Sequence, residues 1–157
     1  MSIPLTVRNY LDASNVQFTS TVHAPSATAT QAAEAAHVSG EKLAKGVVLA
    51  DDEGFVLAVV PSTHVLRVVE FGKELGRDLD LADEDEFRAL FPDCELGAVP
   101  AIGPAYGIRT VVADSLLEED DVWFEAGDHV TLVHVDGPDF RRLLADAGHT
   151  EATSHRH

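Results

Sequence analysis

With 157 residues, 45% of them apolar and 24% charged, the chain has the size and balance of one globular domain, which excludes a disordered polymer and leaves little for a second core. Its formal charge of −16, from 11 Lys and Arg against 27 Asp and Glu, argues against a protein that grips duplex RNA or DNA along the backbone. A single cysteine, Cys94, excludes an internal disulfide, and no apolar run approaches the ~18–20 residues that span a bilayer, so a cytoplasmic protein without a membrane partner is expected.

Residues 3–13 place Leu5, Val7, Tyr10 and Leu11 near one helical face, and Ser14-Asn15 end it. The β-branched stretch Val16 to His23 predicts a strand that stops at Ala24-Pro25. Thr28-Ala29-Thr30-Gln31 has capping-box spacing ahead of the alanine-rich helix former 32–36, with Gly40 placed to end it. Strands over 44–50 and 55–60 flank the acidic turn Asp51-Asp52-Glu53-Gly54, and both are apolar enough to be central. A helix is expected over 65–75, then a short strand over 78–81. Asp83-Glu84-Asp85-Glu86 opens a further helix with Phe87, Leu90 and Phe91 inward.

Behind the Gly/Pro-rich segment 97–104, strands over 108–113, 122–125 and 130–135 suggest a meander, and Asp136-Gly137-Pro138 starts a last helix. Residues 149–157 read as a disordered tail behind a single domain over 1–148. Several neighbouring strands are joined by turns too short for parallel crossovers, so the expected class is α+β with a mixed sheet.

Common catalytic signatures are absent: there is no G-x-S-x-G, no phosphate-binding Walker loop, no H-E-x-x-H and no cysteine pair for zinc. His129 and His134 are expected on opposite faces of one strand and His155 in the tail, so no metal site and no cofactor are predicted. Cys94 reads as a small core residue rather than a nucleophile. Lys45, opening the apolar run Ala44 to Ala50, is either an edge-strand lysine or an ammonium held in a partly dry pocket. Rigid backbone in Gly97 to Pro104 suits binding of a small polar group or an oxyanion.

Taken in order, His23-Ala24-Pro25, the alanine-rich helix, Lys45 before an apolar strand, Phe91-Pro92, Glu95-Leu96-Gly97-Ala98-Val99-Pro100 and Phe124-Glu125-Ala126-Gly127-Asp128-His129 carry a likeness over roughly residues 3–147. In this order the chain resembles the YbaK and prolyl-tRNA synthetase editing-domain family. The resemblance implies a single domain in which a mixed, curved, partly barrel-like sheet with flanking helices encloses a pocket. It implies trans-editing as the activity, hydrolysis of the ester that joins a wrong small amino acid of the Ala or Cys class to tRNA, often proline tRNA. The expected partners are the acceptor end of aminoacyl-tRNA and an aminoacyl-tRNA synthetase. The alternative is a non-catalytic module of the same fold that engages tRNA or a synthetase.

Carried over residue by residue, the resemblance assigns catalytic positions to Lys45, Gly97, Pro100 and His129. It assigns substrate contacts to His23, Gly46, Ala98, Val99, Ile102, Gly103 and Asp128, with Val99 and Ile102 as candidate pocket walls. Gly46 stands where relatives usually place a hydroxyl or amide residue, and Ala101 where many have a second proline.

Overall fold

The hairpin expected at the centre of the chain is the spine of the molecule. The computed structural model describes residues 3–25 and 28–155. Helix α1 (Leu5–Ala13) leads into β1 (Thr19–Val22), and α2 (Ala29–Ala36) is capped by Thr28, whose hydroxyl accepts from the Gln31 N–H at 3.1 Å. His37, at φ 57°, ends α2 in the left-handed region, so Gly40 instead begins a short 3-10 turn over Gly40–Lys42.

Strands β2 (Leu43–Asp51) and β3 (Gly54–Pro61) pair antiparallel along their whole length. Their apolar residues are buried on both faces because each face carries its own core. Leu57 and Val59 join a cluster with Val48, Phe124, Val133 and Phe140, while Val56, Ala58 and Val60 point the other way, onto Leu49, Phe71 and Val111.

Past the hairpin come β4 (His64–Leu66), α3 (Val68–Leu75), β5 (Asp80–Leu81) and α4 (Glu84–Phe87), the last with a complete capping box between Asp83 and Glu86. Strand β6 (Arg109–Ala113) is followed by α5 (Asp114–Leu117), β7 (Asp121–Glu125), β8 (Thr131–Asp136), α6 (Gly137–Leu143), β9 (Gly148–Thr150) and β10 (Thr153–His155). The main sheet runs β1-β8-β7-β2-β3-β6-β9 with β5 added on β2, and a separate ribbon joins β10 to β4. It is a mixed sheet with open ends at β1 and β9, so the partly barrel-like closure expected from the sequence is not formed.

Three other expectations are corrected. Of β6, β7 and β8 only the last two form a hairpin; β6 lies on the far side of the spine, parallel to β3, so there is no three-strand meander. The helix expected from residue 65 begins at Val68, because β-branched Val65 is drawn into pairing with Ser154. The segment read as a tail is structured through His155, with Thr150 and Ala152 buried; the remaining Arg156 and His157 lie outside the described residues.

The turn of the spine is held by Arg77. Its guanidinium donates to both carboxylate oxygens of Asp51, at 2.8 and 2.5 Å, and to the Gly54 carbonyl at 3.2 Å. That fork holds the Asp51 carboxyl down at about 2, against an ordinary 3.8. Because the folded value is the lower one, this contribution to stability is complete above pH 3.8 and disappears as pH falls towards 2. Arg77→Met is therefore expected to lose stability at neutral pH and to show a shallower acid limb over that window. Thermal melts from pH 5 to about 2 check it.

Candidate functional site

Strand β2 has two partners on the same edge. Leu43 and Ala44 pair parallel with Trp123 and Phe124 of β7, and five residues later Leu49 and Ala50 pair antiparallel with Leu81 and Asp80 of β5. Between them lies the stretch Lys45 to Val48, where the Val48 carbonyl accepts from the Ala82 N–H at 2.9 Å. By register the next parallel pair would be Lys45 and Glu125, and the two strands part there. The cavity lies at this parting, with a volume of about 160 Å³, and its wall includes Lys45, Gly46, Gly97, Ala98, Val99, Glu125 and His129. Thr28, the cap of α2, and Ala29 and Ala32 within it close another side.

The loop after Phe91 is fastened across the cavity by two bonds to the β7–β8 turn. The Glu95 N–H donates to the Gly127 carbonyl at 2.8 Å, and His129 Nε2 donates to the Leu96 carbonyl at 2.6 Å. His129 sits at φ 65°, so it belongs to the turn and not to β8, and its ring passes beside Gly97. Gly97 has φ 81°, a conformation that any residue with a Cβ would adopt only under strain. Val99 reaches over Gly46, where a Cβ would come within 2.7 Å of Val99 Cγ1 and 3.0 Å of Leu57 Cδ1. The missing side chain at 46 is thus what lets the loop lie flat on β2.

Six of the residues expected at the site line this cavity: Lys45, Gly46, Gly97, Ala98, Val99 and His129. Five do not, for structural reasons. Ile102 is fully buried in the core, where its side chain packs with the spine, so of the two candidate walls Val99 alone lines the cavity. Pro100 is buried, and Gly103 is buried in close packing with Ile108 and Thr110. Asp128 spends its carboxylate inside the turn, accepting from the N–H groups of Val130 and Thr131 at 3.0 and 2.7 Å and from the Thr131 hydroxyl at 2.7 Å. His23 is buried off the wall, its Nδ1 turned to the Ala24 carbonyl at 2.6 Å. The Ala98 N–H closes a turn onto the Glu95 carbonyl at 3.0 Å.

Glu125 is the lining residue that the sequence reading passed over. Its signal was available, since an acid at the end of the apolar run Val122-Trp123-Phe124 mirrors the lysine near the start of β2. Its carboxyl is pushed above the ordinary 4.5, first by burial and also by the Asp128 charge, while the Gly127 N–H, His129 and His23 pull it back. The Gly127 N–H lies 3.1 Å from Glu125 Oε2, and His129 Nδ1 is 4.0 Å from Oε1. The site therefore presents a cation and a desolvated acid across one small opening, roofed by a rigid backbone loop.

A second cavity, of about 170 Å³, lies behind the same loop and is lined by Phe87, Phe91, Cys94 and the other face of Leu96 to Val99. Burial pushes the Cys94 thiol up to about 11, against a hydrogen bond with the Tyr106 hydroxyl at 3.3 Å that pulls it down. A thiol held there is protonated at neutral pH and is no nucleophile.

Among solved structures, the chain is similar over nearly its full length to hypothetical protein APE2540, with 21% identity, a TM-score of 0.82, and coverage of 95% of this chain and 99% of that one. It is similar to a proposed trans-editing enzyme for prolyl tRNA synthetase at 21% identity and TM-score 0.77, covering 98% and 99%. A proposed signal transduction protein from Marinobacter aquaeolei VT8 matches at 23% identity and TM-score 0.77, with 97% of this chain lying on 31% of that one. Identities this low establish the shared fold. No curated protein sequence matches the chain. The family model of the aminoacyl-tRNA editing domain matches residues 23–143, a span that runs from His23 through α6 and takes in the whole cavity wall. The chain belongs to the aminoacyl-tRNA editing domain family.

Proposed function

We propose that this editing-domain protein is a trans-acting deacylase that hydrolyses the ester of a small mischarged amino acid, of the Ala or Cys class, on proline tRNA. The observation that carries the reading is that Lys45 and Glu125 both line one cavity of about 160 Å³ beside the Gly97–Val99 loop. An aminoacyl ester bears an α-ammonium and a carbonyl that turns anionic as water adds, and the two side chains match those two charges. Glu125 anchors the ammonium. Lys45 stabilises the developing oxyanion, with the Gly97 N–H as the neighbouring backbone donor.

Water adds to the ester carbonyl carbon, and the tetrahedral intermediate then breaks its bond to the ribose oxygen. That oxygen leaves as a hydroxyl, taking up the proton the water released, and the adjacent ribose hydroxyl orients the incoming water. An ester requires little further help, so holding the reactants in place supplies much of the acceleration. His129 acts as a positioning residue, because its Nε2–H is committed to the loop carbonyl. A cavity well under the ~300 Å³ of drug-sized ligand sites favours a small side chain, with Val99 as the limiting wall. The charge of −16 favours contact with the single-stranded acceptor end alone.

The test is a panel of Ala-, Cys-, Ser- and Pro-charged proline tRNA, each followed with and without the protein. Release of Ala or Cys above the spontaneous rate, with Pro-tRNA spared, is the expected result. Binding of charged tRNA without release on any member of the panel identifies a non-catalytic module instead, and equal turnover of alanine methyl ester identifies a small-ester hydrolase.

A further inference from the structure

At the 3-10 turn ahead of β2, three side chains far apart in the sequence converge. We infer that Glu41, His64 and His155 form a binding site for a borderline divalent transition cation of the Zn²⁺ class, which clips the β4–β10 ribbon to the 3-10 turn ahead of β2. One donor atom from each lies within 4.8 Å of the other two.

The backbone builds this cluster. In the antiparallel register of β4 and β10, His64 stands directly opposite His155, so both rings leave the same face, with centroids 4.3 Å apart. Glu41 enters from the 3-10 turn, held by the Thr63 hydroxyl, which donates to Oε1 at 2.7 Å. His155 Nε2 reaches the same Oε1 at 2.9 Å, and His64 Nε2 is 3.5 Å from Oε2.

His64 carries the argument. Its residue exposure is 7%, and its buried Nε2 makes no hydrogen bond among the described residues, although it faces a carboxylate and another imidazole. Its Nδ1 is 2.9 Å from the Thr153 hydroxyl. Holding a cation calls for the tautomer in which Nδ1–H donates to the Thr153 hydroxyl and Nε2 turns its lone pair into the cluster, as second partners of metal-bound histidines do. A buried imidazole nitrogen that stands 3.5 Å from a carboxylate oxygen without a well-formed hydrogen bond is costly for structure alone, and a cation between the two satisfies both.

Ligand bonds of about 2.0–2.2 Å in a tetrahedral site put donor atoms about 3.4 Å apart. The separation of His64 Nε2 and Glu41 Oε2 is 3.5 Å, already at that value. His155, 67% exposed on a short strand, is free to swing from the carboxylate to the ion. Two imidazoles and a carboxylate suit zinc and its neighbours, leaving a fourth position for water, whereas calcium and magnesium call for all-oxygen shells.

The experiment is calorimetric titration of the full chain with Zn²⁺, alongside Co²⁺ titration followed by visible absorption. One equivalent per chain and a tetrahedral Co²⁺ spectrum are expected. His155→Gln, at an exposed position, and Thr153→Val, which removes only the hydroxyl that sets the tautomer, should each weaken binding by at least about tenfold. His134→Gln and His149→Gln, whose rings pair with Asp121 and Asp114 elsewhere, should leave it unchanged. His64→Gln, checked by its melt because the site is buried, should abolish the band. Absence of saturable binding, or binding that persists in both His155→Gln and Thr153→Val, overturns the inference.

Discussion

Lys45→Ala should reduce kcat/KM for release of the misacylated amino acid by about 10²–10³-fold, the loss that follows removal of one oxyanion-stabilising group. The fall is expected in kcat as much as in kcat/KM, because the ammonium meets a full negative charge only in the transition state. The fold should survive. Lys45 pairs through its backbone with Val60 of β3, and its half-buried side chain fills no core position, so the melting temperature should change little. Lys45→Arg should recover only part of the rate, since a planar fork does not place its charge where a compact ammonium does. Single-turnover deacylation of wild type and both variants gives the comparison. A folded Lys45→Ala protein within threefold of wild type would remove the lysine from the chemistry.

The second large effect concerns Glu125 and pH. Burial raises its carboxyl above 4.5, so the acid stays neutral over a range in which exposed glutamates are already charged. Only the carboxylate anchors an ammonium. Enzymatic kcat/KM, corrected for spontaneous hydrolysis, should therefore climb with pH along a limb that begins above the ordinary glutamate range. In Glu125→Gln the limb should vanish and the plateau should drop about 10–150-fold, the equivalent of one charged hydrogen bond at about 1.5–3 kcal/mol. Stability should move the opposite way. A carboxyl whose folded pKa is raised costs stability as pH rises through that value, so the amide variant should melt no lower than wild type at pH 7. A slower protein that is also less stable would point to a structural role for Glu125.

What the sequence disclosed follows from which forces are local. The β2–β3 hairpin was legible because two apolar runs flank an acidic turn, and Lys45 stood out as a cation where an apolar run begins. The parting of β2 and β7 was not, because it depends on a parallel pairing between segments about 80 residues apart. The same holds for the β4–β10 ribbon, whose strands are three residues each and carry polar side chains. Ile102 and Asp128 were misassigned through adjacency to the loop and turn that do line the cavity. Nearness in sequence does not say whether a side chain turns to the cavity, as Val99 does, or to the core, as Ile102 does.

The loop from Leu96 to Val99 has a hollow on each side, of about 160 and 170 Å³. It is a partition one chain thick, tethered at Glu95 and Leu96 and resting on Gly46. Room gained on one side is room lost on the other. The size limit for an amino acid is thereby set by the same backbone that walls the rear hollow, so a substitution at Phe87 or Phe91 that displaces the loop alters the front chamber without touching its occupant. Selectivity in such a molecule can drift through residues that no substrate contacts.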